Sequence, residues 1–218
     1  LLQTIASVKY NLSTAENPSY LRFNYTQIGQ TEKVKILQNK NHLPLGFTYD
    51  TYIEKSLFDQ LSTLQKDVSV YKAFVVDDDL SSIFDGFNEF QLADTTTNLS
   101  FANLNQKIDL LKQDTLNISS FAQNKIEGII NLKSEKLLFF SIPYDNGWKA
   151  FCDDTEVDID IVNAGLIGIK IPKGKHEIVL KYFPPYVKTG AFISIFMFIL
   201  AMLLFVFKRK IVLLLPAN

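Results

Sequence analysis

Apolar residues are spaced in three different ways along this chain. From Thr189 to Phe207 (TGAFISIFMFILAMLLFVF) nineteen consecutive residues carry no charge. At 1.5 Å per residue they make about 28 Å of helix, close to the ~30 Å hydrocarbon core of a bilayer. A buried helix of a globular protein would show a polar stripe, and this segment shows only Ser194 in its interior. The pattern predicts a transmembrane helix over 189–207. Between Lys107 and Phe183, short β-prone runs alternate with turn residues every eight to twelve positions, the spacing of a sandwich or jelly roll. The predicted strands are Ile108–Leu111, Leu116–Phe121, Lys125–Leu132, Leu137–Ile142, Trp148–Cys152, Glu156–Ile161, Leu166–Ile171 and Lys175–Phe183. Nearer the N-terminus the pattern is mixed. Val34 and Ile36 alternate with lysines, Pro44-Leu45-Gly46 breaks the chain, and Phe47 to Ile53 is aromatic and β-prone. Leu57, Leu61 and Leu64 then share one helical face up to about Lys66, with Ser56 and Asp59 spaced as a capping box.

Turn chemistry sharpens this reading. Asn146-Gly147 suits a type I′ turn, Asp153-Asp154 a hairpin tip, and Pro172-Lys173-Gly174 another turn. Asn163, Gly165 and Gly168 fit backbone geometry, since glycine relieves φ restrictions and permits close strand approach. Pro184-Pro185 ends the sheet and delivers the chain to the membrane helix. The predicted fold is mainly β, an antiparallel sandwich or jelly-roll-like ectodomain over 106–186. A short, incomplete α/β segment (1–105) precedes it, and a helix (189–207) and tail (208–218) follow.

Charge adds a direction. Lys208-Arg209-Lys210 follows the apolar segment, whereas residues 1–188 hold 19 basic and 23 acidic side chains. The basic flank predicts a cytoplasmic C-terminus and an extracytoplasmic 1–188. The apolar tail Ile211 to Pro216 is too short to span and suits either the remnant of a longer segment or the interface. Tyr182, Phe183 and Tyr186 have the make-up of interfacial anchors. With 22 Lys+Arg against 23 Asp+Glu overall, no broad basic footprint exists for nucleic acid, which is not an expected partner. Cys152 is the only cysteine, so neither an intrachain disulfide nor a C-x-x-C motif can form. The chain opens Leu1-Leu2-Gln3 without a charged n-region or cleavage site, which reads as a fragment rather than a natural start.

The stretch Leu138-Phe139-Phe140-Ser141-Ile142-Pro143-Tyr144-Asp145-Asn146-Gly147-Trp148-Lys149-Ala150 resembles the C-terminal region of the YfhO family of bacterial multi-spanning membrane proteins. So do Val162 to Ile169, with Asn163, Gly165 and Gly168, and Pro172 to Ile178, with Gly174 and His176. Upstream the resemblance continues in Leu43 to Asp50, with Pro44 and Gly46, and in Val8-Lys9-Tyr10. It implies a polyprenyl-phosphate-sugar-dependent glycosyltransferase of the GT-C type, decorating teichoic acid or another envelope polymer at the bacterial cytoplasmic membrane. The implied partners are the bilayer, upstream helices of the same protein, a polyprenyl-phosphate sugar and an envelope glycan acceptor. In such enzymes the catalytic carboxylate lies in an early loop, which this chain does not contain. No catalytic residue carries over, no cofactor is expected, and the chain alone should be inactive.

The remaining candidates concern binding. Trp148 and Tyr144 could stack on a sugar while Asp145 and Asn146 bind hydroxyls, or Trp148 could plug the core; both readings stay open. His42 lies in a polar loop run and His176 starts a strand, with no G-x-S-x-G elbow, which argues against nucleophilic catalysis. Two distant histidines and one cysteine argue equally against a catalytic zinc site, and no metal is expected. The runs Asp77 to Asp79 and Asp153 to Asp160 could offer oxygens to calcium or a carboxylate pair to a sugar, but a solvated strand face produces the same alternation. Sequons occur at Asn11, Asn24, Asn98 and Asn117, a weak signal for a bacterial protein.

Overall fold

The computed structural model describes residues 2–15, 24–91 and 101–214. The Asn98 sequon and the end of the apolar tail lie outside them. Residues Leu1–Tyr182 form one compact unit and Phe183–Asn218 a second.

The strands, in chain order, are β1 (Tyr10–Ser13), β2 (Tyr25–Gln30), β3 (Lys35–Asn39), β4 (Gly46–Tyr49), β5 (Thr51–Glu54), β6 (Phe74–Val76), β7 (Asn88–Glu89), β8 (Asn117–Ala122), β9 (Lys125–Leu132), β10 (Lys136–Pro143), β11 (Trp148–Cys152), β12 (Thr155–Val157), β13 (Asp160–Val162), β14 (Leu166–Ile171) and β15 (Gly174–Tyr182). A five-stranded sheet in the order β12-β11-β15-β9-β8 faces a four-stranded sheet in the order β13-β14-β10-β4. Both are antiparallel. Their inner faces meet in one apolar cluster: Ile126, Ile130, Ile178 and Leu180 from the first sheet, Leu138, Phe140, Ile167 and Ile169 from the second. The expected sandwich is therefore present. It is completed by β4, a strand from the segment read as a separate N-terminal part.

The outer face of the four-stranded sheet is covered as well. Phe47, Tyr49, Leu137 and Phe139 pack against Tyr71, Phe74, Val76, Phe84 and Ile108. The Phe139 ring centroid lies 5.1 Å from that of Phe47 and 5.7 Å from that of Tyr49. This third layer holds a small parallel sheet in the order β6-β5-β7 and the helices Lys55–Gln60, Thr63–Ser69 and Phe101–Leu111. A further antiparallel sheet has the order β1-β3-β2.

Four local expectations are corrected. Ile108–Leu111 belongs to the helix Phe101–Leu111; its apolar positions 101, 104, 108 and 111 have helical spacing, which a four-residue window hides. The run Glu156–Ile161 is not one strand. The chain leaves the five-stranded sheet after Val157 and joins the four-stranded sheet at Asp160. The single helix expected near 56–66 is two, parted where Leu61 turns extended, and the capping box is Ser62 with Gln65. Asp59 instead pairs with Lys55. Asn146-Gly147 does not form a type I′ turn, since neither residue has positive φ. It does not join hairpin partners: β10 and β11 belong to different sheets. The Asp145 carboxylate accepts from Gly147 N (2.8 Å) and its carbonyl from Trp148 N (3.0 Å), closing the link instead.

The C-terminal helix runs from Val187 to Leu214, through the basic cluster. Val187–Phe205 has a mean hydropathy of 2.2, long and apolar enough to cross a membrane. Its large apolar side chains, such as Phe192 and Phe198, are exposed.

Two outcomes test this packing. Phe139→Ala should cost about 3–5 kcal/mol in denaturant unfolding, because its ring is fully enclosed, whereas Ile129→Ala, 42% exposed, should change stability by about 0.5 kcal/mol or less. Asp160 Oδ2 is buried with no hydrogen-bond partner among the described residues, and burial raises its pKa against the opposing pull of Lys170. A raised carboxylate pKa destabilises the fold once pH exceeds the ordinary value of 3.8. Asp160→Asn should therefore be more stable than wild type at pH 7, with the gap closing as pH falls toward 3.8.

Candidate functional site

The turn between β13 and β14 runs through a backbone conformation that most residue types rarely adopt. Asn163, Ala164 and Gly165 all have positive φ (49°, 62° and 122°), a conformation open to asparagine and glycine at low cost. The turn is pinned to the neighbouring layer. Asn163 Oδ1 accepts from Val75 N at 2.6 Å, and Asn163 N donates to Val75 O at 2.9 Å. The Asn163 side chain also bonds the buried Tyr49 hydroxyl, whose pKa burial drives upward. On the other side, Tyr144 N donates to Gly165 O at 2.8 Å.

Register along β10 and β14 shifts between Phe140 and Pro143, an irregularity of the kind that re-aims side chains. Here the Ser141 hydroxyl lies 3.0 Å from that of Ser7, which donates to Pro44 O at 3.1 Å. Ser141, Pro143, Asn163 and Gly165 thereby line one cleft of about 690 Å³. Ile5, Phe58, Val70, Val76 and Leu166 supply much of its apolar wall, and Lys55, Asp59 and Asp77 its charged part. Lys55 and Asp59 form an exposed ion pair that lowers the Asp59 pKa. Six residues of the stretches that carry the resemblance, Ser141, Pro143 and 163–166, thus line one concavity. Gly46 serves packing instead: a Cβ there would lie 2.8 Å from Leu116 Cβ. Gly168 likewise leaves room for Leu137, whose methyl carbon would lie 3.0 Å from an added Cβ. Gly147 is buried in the link after Asp145.

Trp148 sits elsewhere, half-buried against the sandwich core. Its ring centroid lies 4.9 Å from that of Tyr182, tilted by 47°. Tyr182 bonds Asp145, and burial followed by that carboxylate raises its pKa. The Tyr144 hydroxyl donates to Asn146 Oδ1 at 3.1 Å. The four glycan-contact candidates therefore form one local cluster, with Asn146 its exposed member. Tyr182 belongs to this cluster, while Phe183 and Tyr186 are exposed.

A third grouping was not legible from spacing. Cys152, Asp153 and His176 offer one ligand atom each, all within 4.8 Å of one another. His176 Nδ1 lies 2.7 Å from Asp153 Oδ2; this bond raises the His176 pKa and lowers that of Asp153. Burial, then the Asp153 charge, raises the Cys152 thiol. His42 is separate: its Nδ1 lies 3.1 Å from Asn39 O, and burial lowers its pKa. In the acidic run 77–79, Asp78 Oδ1 accepts from Ser56 N at 2.9 Å. Glu156 of the second acidic run pairs with Lys149 at 2.6 Å.

The layered β unit and the apolar helix together describe a membrane protein with a β-sandwich domain. The family model described as "Bacterial membrane protein YfhO" matches residues 1–100 and 86–194, and the chain belongs to that family. An "Uncharacterized protein YfhO" of Bacillus subtilis (strain 168) is 32% identical over 99 residues, 45% of this chain. The match covers 11% of that protein's length. No solved structure matches.

Asn163→Ala should destabilise the chain by about 1–3 kcal/mol in chemical denaturation, since it removes the acceptor of Val75 N. Asn163→Asp, which keeps an acceptor oxygen, should lose less.

Proposed function

We propose that this chain is the extracytoplasmic, glycan-positioning and membrane-anchoring part of a polyprenyl-phosphate-sugar-dependent glycosyltransferase that modifies teichoic acid or another envelope polymer. The observation that carries the proposal is the cleft beside the 163–165 turn. Residues far apart in sequence, which carry the family likeness, line one concavity with a largely apolar wall and a few polar groups. Ligand sites commonly have that make-up. A sugar presents apolar C–H faces and a rim of hydroxyls, so such a wall with Lys55, Asp59 and Ser141 at hand suits it. In this reading the cleft holds donor or acceptor glycan, Trp148 with Asn146 supplies an outlying contact, and the bond-making carboxylate belongs to a part of the protein outside this chain. The helix from Val187 anchors the unit at the cytoplasmic membrane, with the β domain outside and the basic cluster at 208–210 inside.

One observation favours a second reading, a binding or bracing module without a role in transfer. Ser141 and Asn163 already spend polar atoms on Ser7 and Val75.

Cells lacking the full-length gene should lose teichoic-acid glycosylation and regain it with the intact protein. A normally expressed version lacking residues 1–182 should fail to restore it. Ala6→Trp, which places an indole at an exposed position of the cleft wall, should lower glycosylation severalfold at unchanged expression. Glycosylation that persists without the gene would eliminate this substrate; full activity of the truncated version would favour the second reading.

A further inference from the structure

Sheet pairing brings Cys152, Asp153 and His176 together. Cys152 ends β11 opposite Ile178 of β15, and side chains two residues apart on a strand share a face. His176 is therefore the diagonal neighbour of Cys152 on that face. Asp153 follows at once in the β11–β12 hairpin, where φ of 49° and 65° at Asp153 and Asp154 folds the chain back. This turns the Asp153 carboxylate onto the imidazole, 2.7 Å away.

Three features distinguish the group from a chance ion pair. His176 Nε2 faces the Lys173 carbonyl at 3.3 Å; with a proton there, Nδ1 is free to coordinate once the hydrogen that it shares with Asp153 has left. An imidazole that binds a metal through one nitrogen commonly gives its other N–H to a carbonyl. Asp153 Oδ1 is held by Glu177 N at 2.9 Å, which orients the carboxylate so that Oδ2 points at the imidazole. Gly174, with φ of 132°, has no Cβ; an added one would lie 3.0 Å from Nε2 and crowd the ring.

We propose that Cys152 Sγ, Asp153 Oδ2 and His176 Nδ1 bind a divalent cation of the zinc class, with water in the fourth position. The sulfur, nitrogen and oxygen set suits zinc rather than calcium or magnesium, which take oxygen ligands. Bonds of about 2.0 Å to N and O and 2.3 Å to S imply donor separations near 3.3–3.6 Å in a tetrahedron. The Asp153–His176 pair must open slightly from 2.7 Å, and no pair exceeds 4.8 Å now. Side-chain rotation supplies shifts of that size. As the ion binds, the thiol proton and the hydrogen shared by His176 Nδ1 and Asp153 Oδ2 leave to solvent, and thiolate, imidazole and carboxylate become ligands. The partly exposed Asp153 side chain leaves the fourth position open to water.

The test is a Co²⁺ titration of the full chain in detergent, purified without a histidine tag, with Co²⁺ as the spectroscopic stand-in for Zn²⁺. One equivalent should produce a near-ultraviolet thiolate-to-cobalt charge-transfer band and visible bands of a low-coordinate ion, both abolished by excess Zn²⁺. Cys152→Ser should remove the charge-transfer band, and His176→Gln should weaken Co²⁺ binding at least severalfold. Zn²⁺ should also raise the thermal midpoint of wild type, an effect independent of how the variants fold. A folded wild type that shows neither a charge-transfer band nor a zinc-dependent shift overturns the proposal. So does a band that persists unchanged in a folded His176→Gln variant.

Discussion

The structure depends on one strand being buried on both faces. Leu138 and Phe140 of β10 enter the sandwich core, while Leu137 and Phe139 enter the aromatic layer behind it. An antiparallel strand usually presents one face to water and alternates accordingly. Here it reads Leu-Leu-Phe-Phe, and all four side chains are fully buried. Because both sides must be covered, the four-stranded sheet becomes a middle layer, and the helices and small parallel sheet of the N-terminal half have a surface to cover. The cleft lies at the end of that arrangement, where β10 loses its regular register and the 163–165 turn reaches across to Val75.

Elements governed by local pattern were legible in the sequence. Lys125–Leu132, Trp148–Cys152 and Leu166–Ile171 have the bounds their alternation and flanking turns indicated. What failed depended on which partner a segment meets. Asn146-Gly147 has the composition of a tight hairpin but bridges two sheets, and Glu156–Ile161 looks continuous although its halves pair with different neighbours. The apolar helix was the plainest signal, since bilayer thickness fixes its length without reference to any tertiary contact.

The candidate sites divide along the same line. Trp148, Tyr144, Asp145 and Asn146 are near neighbours in sequence, so their grouping could be read directly; that Trp148 leans on Tyr182 could not. The cleft joins Ser7 to Ser141 across 134 positions and Val75 to Asn163 across 88. No motif spans such distances. No short, fixed spacing of the kind that marks metal signatures links Cys152 to His176, whereas strand register can pair residues 24 positions apart as readily as four. Membership of the YfhO family does not say which residues meet; the fold does.

The place of β4 in the middle sheet bears on how the chain can be divided. Gly46–Tyr49 closes the flank of β10 with four paired positions, and Leu116 settles against Gly46 from the sandwich side. A polypeptide begun near residue 106 would keep most sandwich strands yet present β10 as a bare sheet edge, with unpaired amides and carbonyls beside uncovered leucine and phenylalanine side chains. Such an edge recruits strands from other molecules. The β domain is thus a poor candidate for excision just ahead of its run of consecutive strands, and its solubility is held by four residues made some ninety positions earlier than the strand they cover.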